Sequence, residues 1–227
     1  EAFYYLAETI ENNWSRSILN IQIGTDLYSR KGNAITNFTN TLPSPDSDLA
    51  NQTLKDPYLF DFLTLRKNAD EKNIEDQLTK HITQFLLELG TGFAFLGRQF
   101  KIEVGEKDFF IDLLFYHTKL QCYVVVELKA KDFKAEYAGK LSFYLSAVDD
   151  LLKKDTDKPT IGILLCQGKN KIEAEYALRG INQPIGVAEY QLSQAIPDNI
   201  KSELPTIEQI ESELSLTIAK NQNQHEE

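Results

Sequence analysis

Apolar residues recur along this chain with two different periods, and the change of period divides it. Up to about residue 61 the pattern is helical with loops: Tyr4, Tyr5, Ile10 and Trp14 lead into a second set, Ile18, Ile21 and Leu27. Ser15 stands between the two sets as a candidate helix cap. A polar stretch with Pro43 and Pro45 follows, after which Ser47 is placed to cap a short helix running to Leu54. Asp56-Pro57 would stop that helix, because the residue before proline is pushed out of the helical region. Past a charged segment, residues 66–73, helical spacing returns in Ile74, Leu78, Ile82, Phe85, Leu86 and Leu89, with Gly90 as carboxyl cap. One helix is expected there.

The period then shortens. Residues 93–104, 109–117 and 121–129 read as strands, and the tight joints at 105–108 and 118–120 predict antiparallel hairpins. A helix over about 135–153 comes next, then a buried strand at 161–166, a helix over about 171–179 and a strand at 185–190. This α-β-β-β-α-β-α-β order implies an α/β fold, a mixed sheet with helices on its faces. Three parts are expected: a helical amino-terminal region over 1–61, the α/β domain over 62–195, and an acidic tail over 196–227. The chain opens at Glu1 inside what reads as a helix, so an upstream element is expected.

Composition changes this picture little. With 227 residues, 42% of them hydrophobic, the chain can build a proper core. Its longest apolar runs have strand length, far short of a membrane span, and no secretory segment is visible, so a cytoplasmic protein is expected. Cys122 and Cys166 both sit in apolar strands, as buried free thiols would. The net charge of −10 argues against a wholly basic nucleic-acid coat, although much of the excess lies in the tail.

The candidate chemistry sits where charge interrupts the strands. In Phe109-Phe110-Ile111-Asp112-Leu113-Leu114-Phe115-Tyr116 a single carboxylate breaks an apolar run. Burying it is costly unless something stabilises its charge. The next strand closes with Glu127-Leu128-Lys129, two charges on one face. A hairpin would bring Asp112 close to both. Two carboxylates beside an ammonium suit a hard divalent cation, with magnesium the expected one, and hydrolysis of a phosphodiester. The bland alternative is a structural ion pair between Asp112 and Lys129 in a metal-free α/β domain.

Further words carry a resemblance: Asp56-Pro57-Tyr58-Leu59-Phe60-Asp61-Phe62-Leu63, Phe93-Ala94-Phe95-Leu96-Gly97-Arg98-Gln99, Glu136-Tyr137-Ala138-Gly139-Lys140 and Pro184-Ile185-Gly186-Val187-Ala188-Glu189-Tyr190. With the two strand motifs, they make the chain resemble the PD-(D/E)XK nuclease domain of the bacterial family formerly called DUF1016, the YhcG family. Asn13-Trp14-Ser15-Arg16 and Ala34-Ile35-Thr36-Asn37-Phe38 resemble the end of that family's helix-turn-helix-like amino-terminal domain, as a truncated remnant. The resemblance implies a restriction-endonuclease-like core. It also implies Asp112 as metal-binding aspartate, Glu127 as second acidic residue, Lys129 as the lysine, and Glu75 as an extra glutamate beside the metal. Leu128 is counted with Asp112 and Glu127 in the metal set. Ile111 stands where the nominal proline would be, which leaves the chemistry untouched.

The expected activity is an Mg2+-dependent deoxyribonuclease, Mn2+ substituting, with a role in restriction, repair or mobile-element control. DNA is the expected partner, with no small-molecule cofactor and no membrane. Double-strand cleavage from a single site would favour a homodimer. Candidate substrate contacts are Arg98 and Gln99 on the first long strand, Lys140 and Tyr144 one helical turn apart, and Lys131 and Lys134, joined by Lys169 and Lys171 in a phosphate track. His81 and His117 are not assigned as general bases. The competing reading is a catalytically silent DNA-binding or interaction subunit that keeps the fold.

Overall fold

The computed structural model of the chain describes residues 1–63 and 69–192. The expected tail lies outside these residues, as do residues 64–68. The elements in chain order are α1 (Ala2–Asn12), α2 (Arg16–Gly24), α3 (Leu27–Arg30), β1 (Ile35–Thr36), α4 (Phe38–Thr41), α5 (Asp46–Thr53), β2 (Tyr58–Phe60), α6 (Glu71–Lys80), α7 (Ile82–Leu89), β3 (Phe93–Val104), β4 (Lys107–His117), β5 (Cys122–Leu128), α8 (Ala135–Leu151), β6 (Ile161–Cys166), α9 (Lys171–Leu178) and β7 (Ile185–Leu192).

A mixed sheet in the order β1-β7-β6-β5-β4-β3 forms the centre, with β2 added to β7. The β3-β4-β5 meander is antiparallel, whereas β5, β6 and β7 run parallel, as their crossover helices α8 and α9 require. Side chains of alternate parity feed two cores. Leu113, Phe115, Val124 and Val126 pack with Ile74, Leu78 and Phe85 of α6 and α7 on one face. Leu114, Val125 and Leu164 pack with Leu141, Tyr144 and Leu145 of α8 on the other. The α/β architecture expected from the sequence, a central mixed sheet flanked by helices, is therefore the one observed. At Gly162 an added Cβ would lie 2.9 Å from Leu141, so the missing side chain is what lets α8 settle closely on β6.

Three local expectations need correction. Ser47 does not cap: α5 begins at Asp46, and Ser47 lies buried inside it. The expected single helix after residue 70 is two, α6 and α7, broken at His81, whose ψ of 37° leaves the helical region. Asp70 rather than a later residue starts the first of them, its carboxylate accepting from Asn73 N. Residues placed in the helical amino-terminal region also supply strands. β1 pairs antiparallel with β7 at Ile35↔Val187, and β2 pairs parallel with it at Tyr58↔Tyr190. Phe38, Leu54, Tyr58 and Phe60 accordingly belong to the same core cluster as Phe115 and Val126. Ser15 caps α2 through Ile18 N, and Cys122 and Cys166 are buried and free, as the sequence suggests.

The amino-terminal helices are tied to α7 by a buried ionic knot. Glu88 Oε1 accepts from Arg30 Nη1 at 2.6 Å and from Leu59 N at 2.9 Å. Lys55 Nζ lies 3.7 Å from Glu88 Oε2 and also donates to the Glu88 carbonyl. Burial pulls the Lys55 ammonium down to about 8, against the pull of Glu88.

Candidate active site

The hairpin register decides what meets what. β4 and β5 stay paired up to Leu113↔Val126, and the next pair in that register, Asp112 opposite Glu127, lies just past the end of the ladder. β5 meanwhile continues along β6, where Lys129 N donates to Leu165 O at 2.8 Å. The candidate residues therefore sit at a fork where β5 leaves β4. Asp112 Oδ2 spans the fork, accepting from Leu128 N at 3.0 Å.

Lys129 comes from the same strand end. Its Nζ donates to Glu127 Oε1 at 3.0 Å and to Leu128 O at 2.9 Å, and it stands 5.3 Å from the centre of the Tyr137 ring. α8 brings Lys140 to the same carboxylate oxygen, and the Lys140 ammonium lies over the Tyr144 ring. From the other face α6 contributes Glu75, and β3 contributes Gln99. Gln99 Nε2 donates to Glu75 Oε2 at 2.6 Å and makes a long 3.4 Å contact with Asp112 Oδ1. Gln99 reaches both from a backbone φ of 42°, a left-handed conformation unusual for a residue with a Cβ.

Glu71 is the residue that sequence reasoning missed. It lies one helical turn before Glu75 on α6, 3.5 Å from Lys129 Nζ, and its other oxygen accepts from Ala130 N at 3.4 Å. The i,i+4 spacing of Glu71 and Glu75 was the available signal.

The other sequence candidates lie partly around the fork and partly away from it. The Arg98 guanidinium is held by Asp76 on α6. Tyr144, on α8, is buried in the core with its ring under the Lys140 ammonium at the fork. Lys131 and Lys134 are exposed at the loop before α8, Lys134 lying 3.8 Å from Glu136. Lys169 does not join a phosphate track: its buried ammonium is paired with Asp56 and lies 3.8 Å from Glu189. Lys171 stands 3.9 Å from Glu175. His117 is buried, its Nδ1 accepting from Leu120 N at 3.0 Å, and burial pushes it down to about 4.

The electrostatics of the fork follow from putting several carboxylates in a half-dry place. Burial and then the Glu127 charge push Asp112 up to about 6, against its bond from Leu128 N and the nearby lysines. Burial also raises Glu75, with Gln99 opposing. Burial works against the charge of Lys129 and of Lys140, but the Glu127 carboxylate outweighs it and both ammoniums are held above their ordinary value.

Among the described residues no group of three or more His, Cys, Asp or Glu side chains is assembled as a metal cage. A partly hydrated magnesium ion needs less, since it keeps several waters and takes one or two carboxylates. The fork suits that mode. Glu127 is fully buried, yet among the described residues its Oε2 has no hydrogen-bond partner, leaving an unmet acceptor. The Leu128 carbonyl keeps a second lone pair beyond its bond from Lys129.

The family model of the YhcG PDDEXK nuclease domain matches residues 51–205. The protein named "Putative nuclease YhcG" from Escherichia coli (strain K12) is 33% identical over 198 residues, covering 86% of this chain and 52% of the relative. The chain thus spans about half the length of that curated relative. Among solved structures, the EndoMS–dsDNA2 complex is similar over 60% of this chain and 48% of its own, at 17% identity and a TM-score of 0.40. A repair endonuclease from Pyrococcus abyssi is similar over 58% and 50%, at 15% identity and a TM-score of 0.37. At such scores the likeness is too partial to transfer an activity.

Proposed function

The chain belongs to the YhcG PDDEXK nuclease family, and on that premise we propose that it is a divalent-metal-dependent deoxyribonuclease cutting DNA internally at the β4–β5 fork. The observation that carries this is the convergence of Asp112, Glu127 and Lys129, with a buried Glu127 oxygen that has no hydrogen-bond partner among the described residues. Mg2+ is the proposed metal, with Mn2+ able to replace it. Asp112 and Glu127 would hold it, with the Leu128 carbonyl as the third ligand. When bound, such an ion polarises a phosphoryl oxygen and lowers the pKa of a coordinated water.

The chain's own groups then have distinct tasks. Lys129, restrained by Glu127, Glu71 and the Leu128 carbonyl, places an ammonium where it can orient the attacking water and offset charge developing on phosphorus oxygens. Gln99 fixes the orientation of Asp112 and Glu75 through one amide group. Glu75, linked to Asp112 through Gln99, would order water at the metal. Lys131 and Lys134, exposed beside the fork, are proposed to track the DNA backbone. The same proposal assigns residues 1–61 to positioning DNA, residues 62–195 to cleavage, and residues 196–227 to an acidic tail. It also includes a homodimer for double-strand cleavage, a cytoplasmic setting, and a role in restriction, repair or mobile-element control.

The test is incubation with supercoiled plasmid, linear duplex, single-stranded DNA and RNA, each with Mg2+, Mn2+ or EDTA. Nicking or linearisation of plasmid with metal, and none with EDTA, is the expected result. Cutting confined to RNA, or insensitive to EDTA, would contradict the reading.

A further inference from the structure

Glu127 is at once the most crowded and the least evenly satisfied carboxylate of the fork. Two ammoniums, those of Lys129 and Lys140, converge on Oε1, whereas Oε2 has no hydrogen-bond partner among the described residues, and the side chain is 0% exposed. A fully buried carboxylate needs a counter-charge, and one ammonium would suffice. The two lysines are also held differently. Lys129 has its side chain 7% exposed and is tied to the Leu128 carbonyl, to Glu71 and to the face of Tyr137. Lys140 has its side chain 47% exposed and reaches Glu127 along the face of Tyr144 from α8, with open solvent beside its stem.

We propose that Lys140 is the resident counter-ion of Glu127 in the metal-free protein, that it gives up this carboxylate when a divalent cation binds, and that its freed ammonium then serves the substrate phosphate. Lys140 thus competes with the metal for Glu127 and weakens metal binding until it is displaced. The inference rests on the metal-dependent nuclease reading above. Its physical basis is competition: an ammonium and a divalent cation crowded on one carboxylate repel each other, and the less restrained of the two lysines leaves. A long, half-exposed lysine can swing its head into water by rotamer changes alone. No backbone need move, because Leu141 and Leu145 lock α8 against Gly162.

The experiment is calorimetric titration of the full chain with Mn2+, without DNA, for wild type, Lys140→Gln, Lys140→Arg, Lys153→Gln and Glu127→Gln. Losing a charge-assisted contact to a buried carboxylate should be worth about a tenfold change. Lys140→Gln is therefore expected to bind Mn2+ about tenfold more tightly than wild type. Lys140→Arg should bind as wild type does, and so should Lys153→Gln, which removes the same charge just past the carboxyl end of α8. Glu127→Gln should lose binding. Lys140→Met, which keeps the stem over Tyr144, gives the same reading if the glutamine variant does not fold. In the same samples, duplex affinity measured with Ca2+ should fall for Lys140→Gln, while affinity measured in EDTA stays unchanged. Unaltered or weaker Mn2+ binding by both neutral variants, with wild-type binding intact, would overturn this role for Lys140 and leave the nuclease reading standing. Absence of Mn2+ binding by the wild type itself would overturn both.

Discussion

Gln99 holds a left-handed backbone at φ 42°, which costs an L-residue on the order of 1 kcal/mol, and spends its side chain bridging Glu75 and Asp112. Gln99→Gly should therefore leave the melting temperature unchanged or slightly higher while plasmid nicking falls by roughly tenfold. A marked loss of stability would show that the strained backbone is not carried for the site. Asp112 has a related cost. Its carboxyl is raised from 3.8 to about 6 by burial and by Glu127, so the folded protein holds a proton that the unfolded chain has released between those values. Stability tied to Asp112 is complete below about pH 4 and is lost as pH rises through 6. Asp112→Asn, measured without metal, should melt above wild type at pH 7.5, and this gain should vanish near pH 4; an equal gain at both would contradict the assignment. At this scale Asp112, Glu127 and Lys129 were legible because strand alternation fixes their faces. Glu71 was not, because an acidic residue in the first turn of a helix ordinarily reads as a partner of the helix dipole.

Among the elements, the long strands and α8 were read to within a few residues, since 11- and 12-residue strands repeat their alternation often enough to show it. β1 and β2, of two and three residues, carry too little periodicity to be seen, and only their pairing with β7 defines them. The break between α6 and α7 was equally hidden: helical spacing survives a single non-helical residue at His81. The joint between α7 and the amino-terminal helices depends on Glu88, which takes both Arg30 and Lys55 in a buried place. Removing one partner of such a network leaves uncompensated charge, so Glu88→Gln should cost about 3 kcal/mol in urea unfolding. A cost below about 1 kcal/mol would mean the knot is ornamental to stability.

In the whole molecule, residues 35–60 complete the sheet edge that β7 would otherwise expose, and Phe38, Tyr58 and Phe60 fill the core beneath it. A chain beginning at residue 62 should consequently lose cooperative thermal unfolding, as followed by circular dichroism; a sharp transition near the wild-type midpoint would contradict this. The global charge of −10 gave little warning of a nuclease, because the acidic excess and the carboxylates of the fork share one sign. The central claim is that the fork at Asp112 and Glu127 is where phosphodiester bonds are cut. It is tested most directly by Mg2+-dependent nicking of supercoiled plasmid by wild type and Asp112→Asn, each verified as folded. The account predicts nicking by the wild type and a loss of more than about a hundredfold in the variant, whereas undiminished nicking by Asp112→Asn would place the chemistry elsewhere.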